Sequence, residues 1–114
     1  MGIHRPTPRD QLRAIADGKS AVLEELARMQ VSTLDRCKLD KETYLLVRLA
    51  ALVATDAAPV SYRAHLGGAG DPPISSRQVL GTLAAIAPVV GSARVLSAAS
   101  RLARAGVVFA DPGP

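Results

Sequence analysis

Apolar residues recur at helical spacing along most of the chain. In residues 39–54, Leu45, Leu46, Leu49, Ala50 and Val53 fall three and four positions apart, which aligns them on one helix face. Asp40 precedes that run and is the expected N-cap, with Leu39 placed to staple onto Tyr44. Val79, Leu83, Ile86 and Val90 form a similar stripe after Ser75-x-x-Gln78, a capping box. Pro88 is expected to kink or end that helix. A further helix opens at Gly91-Ser92, with Leu96, Ala99, Leu102 and Ala103 expected inward, Arg94, Arg101 and Arg104 on the opposite face and Gly106 just past its end.

The N-terminal half follows the same rules. Residues 1–6 read as a loose arm. Thr7, Pro8 and Asp10 supply a cap, a first-position proline and a first-turn acid, and Leu12, Ile15 and Ala16 continue one face. Gly18 weakens that helix. A second helix is predicted over residues 19–30, with Val22, Leu23, Leu26 and Met29 as its stripe and residues 31–38 as a connection. Residues 55–58 form a turn, and Pro59 starts a short helix that carries Ser61 and His65. The Gly/Pro-rich residues 67–73 end it. The pattern predicts an all-α domain of five to six helices over residues 7–106, followed by a tail at 107–114.

Composition narrows the function classes. The chain has 114 residues, enough for one domain, and is 48% hydrophobic but only 3% aromatic. Its apolar residues are mainly Ala, Leu and Val, which suit closely packed helices and bury little area each, so self-association is an expected source of stability. The net charge is +4. Residues 57–114 carry five arginines (Arg63, Arg77, Arg94, Arg101 and Arg104) against Asp71 and Asp111, a bias suited to a small anionic substrate. The basic residues are too dispersed, and the aromatics too few, for a nucleic-acid surface. No apolar run approaches the ~20 residues of a membrane span. Residues 1–10 lack the apolar stretch of a secretion signal, so a cytoplasmic location is expected. Cys37, alone of its kind, excludes an internal disulfide and is read as a tolerated thiol between Arg36 and Lys38.

The order and spacing of four segments resemble the carboxymuconolactone decarboxylase family, which includes the alkylhydroperoxidase D-like proteins. Leu39-Asp40-Lys41-Glu42-Thr43 is similar to the family's Leu-Asp-x-x-Thr helix start, and Arg63-Ala64-His65-Leu66 to its Arg-x-His-Leu. Residues 74–80 occupy the place of a Thr/Ser-x-x-Glu helix start, and Gly91 that of a Tyr-x-Gly-x-Pro turn, here without its proline. The likeness covers residues 39–104. In the redox branch, residues 58–65 would carry Cys-x-x-Cys-x-x-x-His. This chain has Ala58, Ser61 and His65 at those positions, and Tyr44-Leu45-Leu46 where an upstream Glu is usual. The family's thiol chemistry has no thiols here.

The resemblance implies a helical unit that assembles as a homotrimer or hexamer and works without a cofactor; isolated His4 and His65 and a single cysteine offer no metal-ligand spacing. It also implies a proton-relay role for His65, which otherwise reads as a capping or interface histidine. Asp56 is the nearest carboxylate in sequence to orient that ring, or else it caps the short helix. Ser61 can donate a hydrogen bond, and Tyr62 can line a pocket or pack. Arg63 and Arg94 are candidates to clamp a substrate carboxylate, since a guanidinium pairs with one through two parallel hydrogen bonds. Two function classes follow. One is a cofactor-free enzyme acting on a small anionic, lactone-like substrate. The other is a redox-dead binding or assembly module.

Overall fold

The computed structural model describes residues 5–19, 21–67 and 74–110, and these are helical with no strand among them. Six helices follow in order: α1 (Pro8–Ala16), α2 (Ala21–Cys37), α3 (Lys41–Ala54), α4 (Pro59–Leu66), α5 (Ser76–Val90) and α6 (Ser92–Ala105). The chain is all-α, as its apolar periodicity predicts. Residues 1–4, 20, 68–73 and 111–114, and with them Asp71, Asp111 and most of the Gly/Pro loop, lie outside the described residues.

Local chemistry sets the ends of the helices. Thr7 and Asp10 cap α1 reciprocally, with Pro8 in its first turn. Asp40 Oδ1 accepts the Thr43 N–H at 2.8 Å, and Oδ2 accepts the Thr43 hydroxyl at 3.1 Å. The Thr43 backbone and hydroxyl bonds hold the Asp40 carboxyl below its ordinary range. Ser75 and Gln78 form the capping box of α5.

Two connections differ from expectation. Gly18, in the left-handed region at φ 76°, breaks the chain between α1 and α2. The second helix then runs on to Cys37, so residues 31–37 are helical and not a connection. Val31 to Cys37 contains no Gly or Pro to stop it, and the turn falls at Lys38, which takes φ 61°. Pro88 does not end α5. It sits in the last turn on the exposed side, where the Ala84 carbonyl that loses its helix bond can face water, and Gly91 closes the helix at φ 91°.

The core belongs to α3–α6. Helix α3 packs on α5 and α4, α4 on α6 and α5 on α6. Helix α3 also meets α6, and α2 leans on α4. Tyr44, Leu45, Leu49 and Val53 of α3 meet Tyr62 and Leu66 of α4, Val79 and Leu83 of α5, and Ala98, Leu102 and Ala105 of α6. Ile74 is also buried, and its carbonyl accepts the Ala110 N–H at 2.7 Å. Val107 and Phe109 pack on the same core, so the start of the predicted tail is part of the domain.

The buried stripe of α6 is Ala98, Leu102 and Ala105, with Val95 partly buried. Of the four residues expected inward, only Leu102 is buried, and Leu96, Ala99 and Ala103 face outward. Both stripes have helical spacing, and on an Ala-rich helix the sequence does not distinguish them. Helix α1 buries no residue, and Leu12 is exposed. The side chains of Val22, Leu23 and Leu26 lie outside the described residues, and Met29 is exposed.

Candidate functional site at the α3–α4 seam

His65 sits in the last turn of α4, half-buried, and its partner comes from α3. Arg48 Nη1 lies 2.7 Å from His65 Nδ1. A guanidinium has no acceptor, so it donates and Nδ1 offers its lone pair. The ring proton then resides on Nε2, and the imidazole is neutral. Burial, and then the Arg48 charge, lower the pKa of His65 from its ordinary 6.5. Geometry and electrostatics agree on one state: a neutral ring with an Nε2–H free to donate.

Arg48 is fixed from its other side as well. Its guanidinium carbon lies 4.5 Å from the centre of the Tyr44 ring, a cation–π contact. It is half-buried and forms no ion pair with a carboxylate among the described residues. The seam therefore holds a preoriented positive charge with unused N–H donors beside a neutral imidazole. Sequence reasoning missed Arg48. The signal was there, because Arg48 is the only charge between Glu42 and Asp56 in an otherwise apolar run.

The other candidates are dispersed. Asp56 belongs to a different constellation. It is the residue after the C-cap of α3, with φ 54°. The bonds Ala57 N–H to Leu52 O at 3.0 Å and Asp56 N–H to Val53 O at 3.1 Å form a Schellman motif around it. Its carboxylate accepts Ser97 Oγ at 3.0 Å and pairs with Arg101 at 3.3 Å. The N-cap of α4 is Ala58, with no side-chain cap bond, so Asp56 neither caps α4 nor provides the recorded partner of His65.

Ser61 is half-buried one turn before His65 and on the same side of α4. Arg63 is two residues from His65 and so points elsewhere. Its guanidinium lies over Gly18, 3.2 Å from where a Cβ would stand. Arg94 is exposed in the first turn of α6. The expected Arg63–Arg94 clamp is not what stands beside His65; Arg48 is.

Tyr62 is 0% exposed, and its Oη has no hydrogen-bond partner. Burial raises its pKa; Arg101 opposes the rise and Asp56 adds to it. A buried hydroxyl without a partner costs stability. Tyr62→Phe is therefore expected to stabilise the fold by about 1 kcal/mol, read as a higher urea midpoint at unchanged slope.

An open depression of about 570 Å³ lies away from this seam, at the N-terminal ends of α3 and α5, and is lined by Asp40, Lys41, Glu42, Thr43, Leu46 and Gln78. Gln78 Nε2 donates to Glu42 across it. Asp40, Thr43, Glu42 and Gln78 are occupied there with capping and with each other. Among the described residues, no three His, Cys, Asp or Glu side chains gather as a metal would require, and no helix is long and apolar enough to cross a membrane. No family model, curated protein or solved structure matches the chain.

Proposed function

We propose that this chain is a carboxymuconolactone decarboxylase-like protein, a cofactor-free helical unit of a homotrimer or hexamer that acts on a small anionic substrate at the α3–α4 seam. The Arg48–His65 hydrogen bond carries the reading. It supplies a fixed cation for a carboxylate and, beside it, a neutral imidazole N–H for a carbonyl oxygen. When CO₂ leaves a carbon next to a carbonyl, the bonding electrons move onto the carbonyl oxygen. The Nε2–H of His65 donates a hydrogen bond to that developing enolate, and water returns a proton to carbon.

This role differs from a proton relay. With Nδ1 engaged by Arg48, a second proton on the ring would break that bond and set two cations together. His65 therefore acts by donating a hydrogen bond and keeps its proton, as a neutral imidazole does when it polarises a carbonyl.

The test uses β-keto carboxylates and carboxylated lactones, with CO₂ release and calorimetric binding as readouts. Saturable CO₂ release that falls in Arg48→Met supports the enzyme. Binding that depends on Arg48 without CO₂ release identifies a non-catalytic binding module. The absence of both binding and CO₂ release sinks the reading.

Thiol peroxidase chemistry is expected to be absent. Ala58 and Ser61 stand at the thiol positions, and Cys37 is exposed at the end of α2, where its Sγ donates to Leu34 O at 3.3 Å. Dithiol-coupled hydroperoxide reduction should not exceed the background. Turnover that persists in Cys37→Ser would contradict this.

A further inference from the structure

The Arg48–His65 bond also sets the register of α3 on α4. Each residue lies six positions from the turn-side end of its own helix, so the two helices form an antiparallel hairpin with matching rungs. Three or four residues nearer the 55–58 connection, the same faces present Ala51 and Leu52 on α3 and Ser61 and Tyr62 on α4. Leu52 packs on the core and Tyr62 lies within it. The outer part of this second rung is therefore Ala51, which is exposed, and Ser61, which is half-buried. A methyl group faces a hydroxyl where the first rung has a guanidinium facing an imidazole.

Ser61 differs from three of the chain's threonines. The hydroxyls of Thr33, Thr55 and Thr82 each donate to the carbonyl four residues earlier, at 2.8, 2.9 and 2.8 Å. Ser61 makes no such bond, and among the described residues its hydroxyl has no partner. The third rung offers nothing further, since the Thr55 hydroxyl is held by the Ala51 and Leu52 carbonyls and residue 58 is alanine. The polar groups of the seam thus end at Ser61.

We propose that Ser61 is a second anchor for the ligand of this seam, which selects short monocarboxylates that carry an uncharged oxygen about one helical turn, ~5.4 Å, from the carboxylate. The inference rests on the reading of Arg48 as the partner of that carboxylate. The second rung decides the class. Ser61 donates one hydrogen bond and brings no charge. Arg63 does not supply one, because its guanidinium lies over Gly18. An ester, ketone or lactone oxygen matches a lone neutral donor, whereas a second carboxylate would lose its hydration without a cation in exchange. Ala51 leaves the room, because a longer side chain at that position would lie across the Ser61 hydroxyl.

Nitrogen chemical-shift titrations of the full chain test this, with monomethyl glutarate, pentanoate, glutarate and acetate as probes. The first has an ester oxygen at the required separation. Pentanoate matches its carbon chain without that oxygen, glutarate adds a second charge, and acetate reaches Arg48 alone. Monomethyl glutarate should bind about tenfold more tightly than pentanoate or glutarate, with shifts at both His65 and Ser61. Ser61→Ala should erase that preference, and Ala51→Leu should weaken the ester about tenfold. Both should leave acetate binding and circular dichroism unchanged. Arg48→Met should weaken all the probes. Binding that depends on Arg48 but shows no preference for the ester, keeps that preference in Ser61→Ala or ignores Ala51→Leu overturns the second anchor and leaves the Arg48 site standing. If no probe binds, or Arg48→Met alters nothing, both fall. The comparison of probes on the parent chain decides even where a variant fails to fold.

Discussion

His65→Ala is expected to lower kcat on the proposed carboxylate substrates by about 10²–10³-fold, the usual consequence of removing one donor from a developing oxyanion. KM should change little, because Arg48 remains anchored over Tyr44 and keeps its charge at the seam. Arg48→Met should do the opposite in part. It removes the carboxylate partner, raising KM, and it also frees His65 Nδ1, so that the ring can turn or change tautomer and kcat falls as well. Arg48→Lys should rescue poorly, since an ammonium cannot hold the imidazole and a carboxylate with one planar fork. Steady-state kinetics of the three variants separate these roles. Equal loss of kcat and KM effects in all three would remove the division of labour.

The pH profile distinguishes the neutral ring from a proton relay. Burial and Arg48 depress the folded pKa of His65 below 6.5, so the folded protein binds that proton more weakly than the unfolded chain does. The stability contributed by the neutral ring is thus complete above pH 6.5 and is lost as pH falls through the depressed native value. Activity should follow the same direction, flat through neutrality and declining on the acid side. An imidazolium acting as general acid would give the reverse, a rate that falls as pH rises through neutrality. Nitrogen chemical shifts of His65 provide a direct check, with Nδ1 unprotonated and Nε2 protonated at pH 7.

The helices were legible because their ends carry strong local signals. Thr7, Asp40, Ser75 and Gln78 each cap the helix that their spacing implies, and Gly18, Gly91 and Gly106 each take a positive φ at a break or end. What was not legible depended on which of two equivalent faces the rest of the fold covers. On α6, Ala98 and Ala99 differ by one position and by nothing chemical, and only contact with α3, α4 and α5 decides which is buried. The site shows the same division. His65 could be singled out by its residue type. Its partner could not be found by looking for a nearby carboxylate, because the partner is an arginine seventeen residues earlier, brought over by the α3–α4 turn.

That turn is the basis of the largest stability effect expected. Arg101→Met should destabilise the fold by about 2 kcal/mol. Arg101 Nη1 donates to the carbonyls of Asp56 at 2.5 Å and Ala57 at 2.9 Å, besides its ion pair with the Asp56 carboxylate at 3.3 Å. The ion pair is partly solvated, with side-chain exposures of 31% and 43%, so the charge attraction alone is worth less than about 1 kcal/mol. The carbonyl bonds matter more, because they tie the left-handed Asp56 and the start of α4 to α6, and methionine keeps the packing of the stem while removing every donor. Asp56→Asn keeps those carbonyls and the Ser97 bond, so it should cost under about 1 kcal/mol. Urea denaturation of both variants ranks the two contributions. A larger loss in Asp56→Asn than in Arg101→Met would show that charge, not backbone anchoring, holds the turn. Because the same turn sets α4 against α3, Arg101→Met should also loosen the Arg48–His65 bond and reduce kcat in molecules that remain folded, although Arg101 touches neither residue.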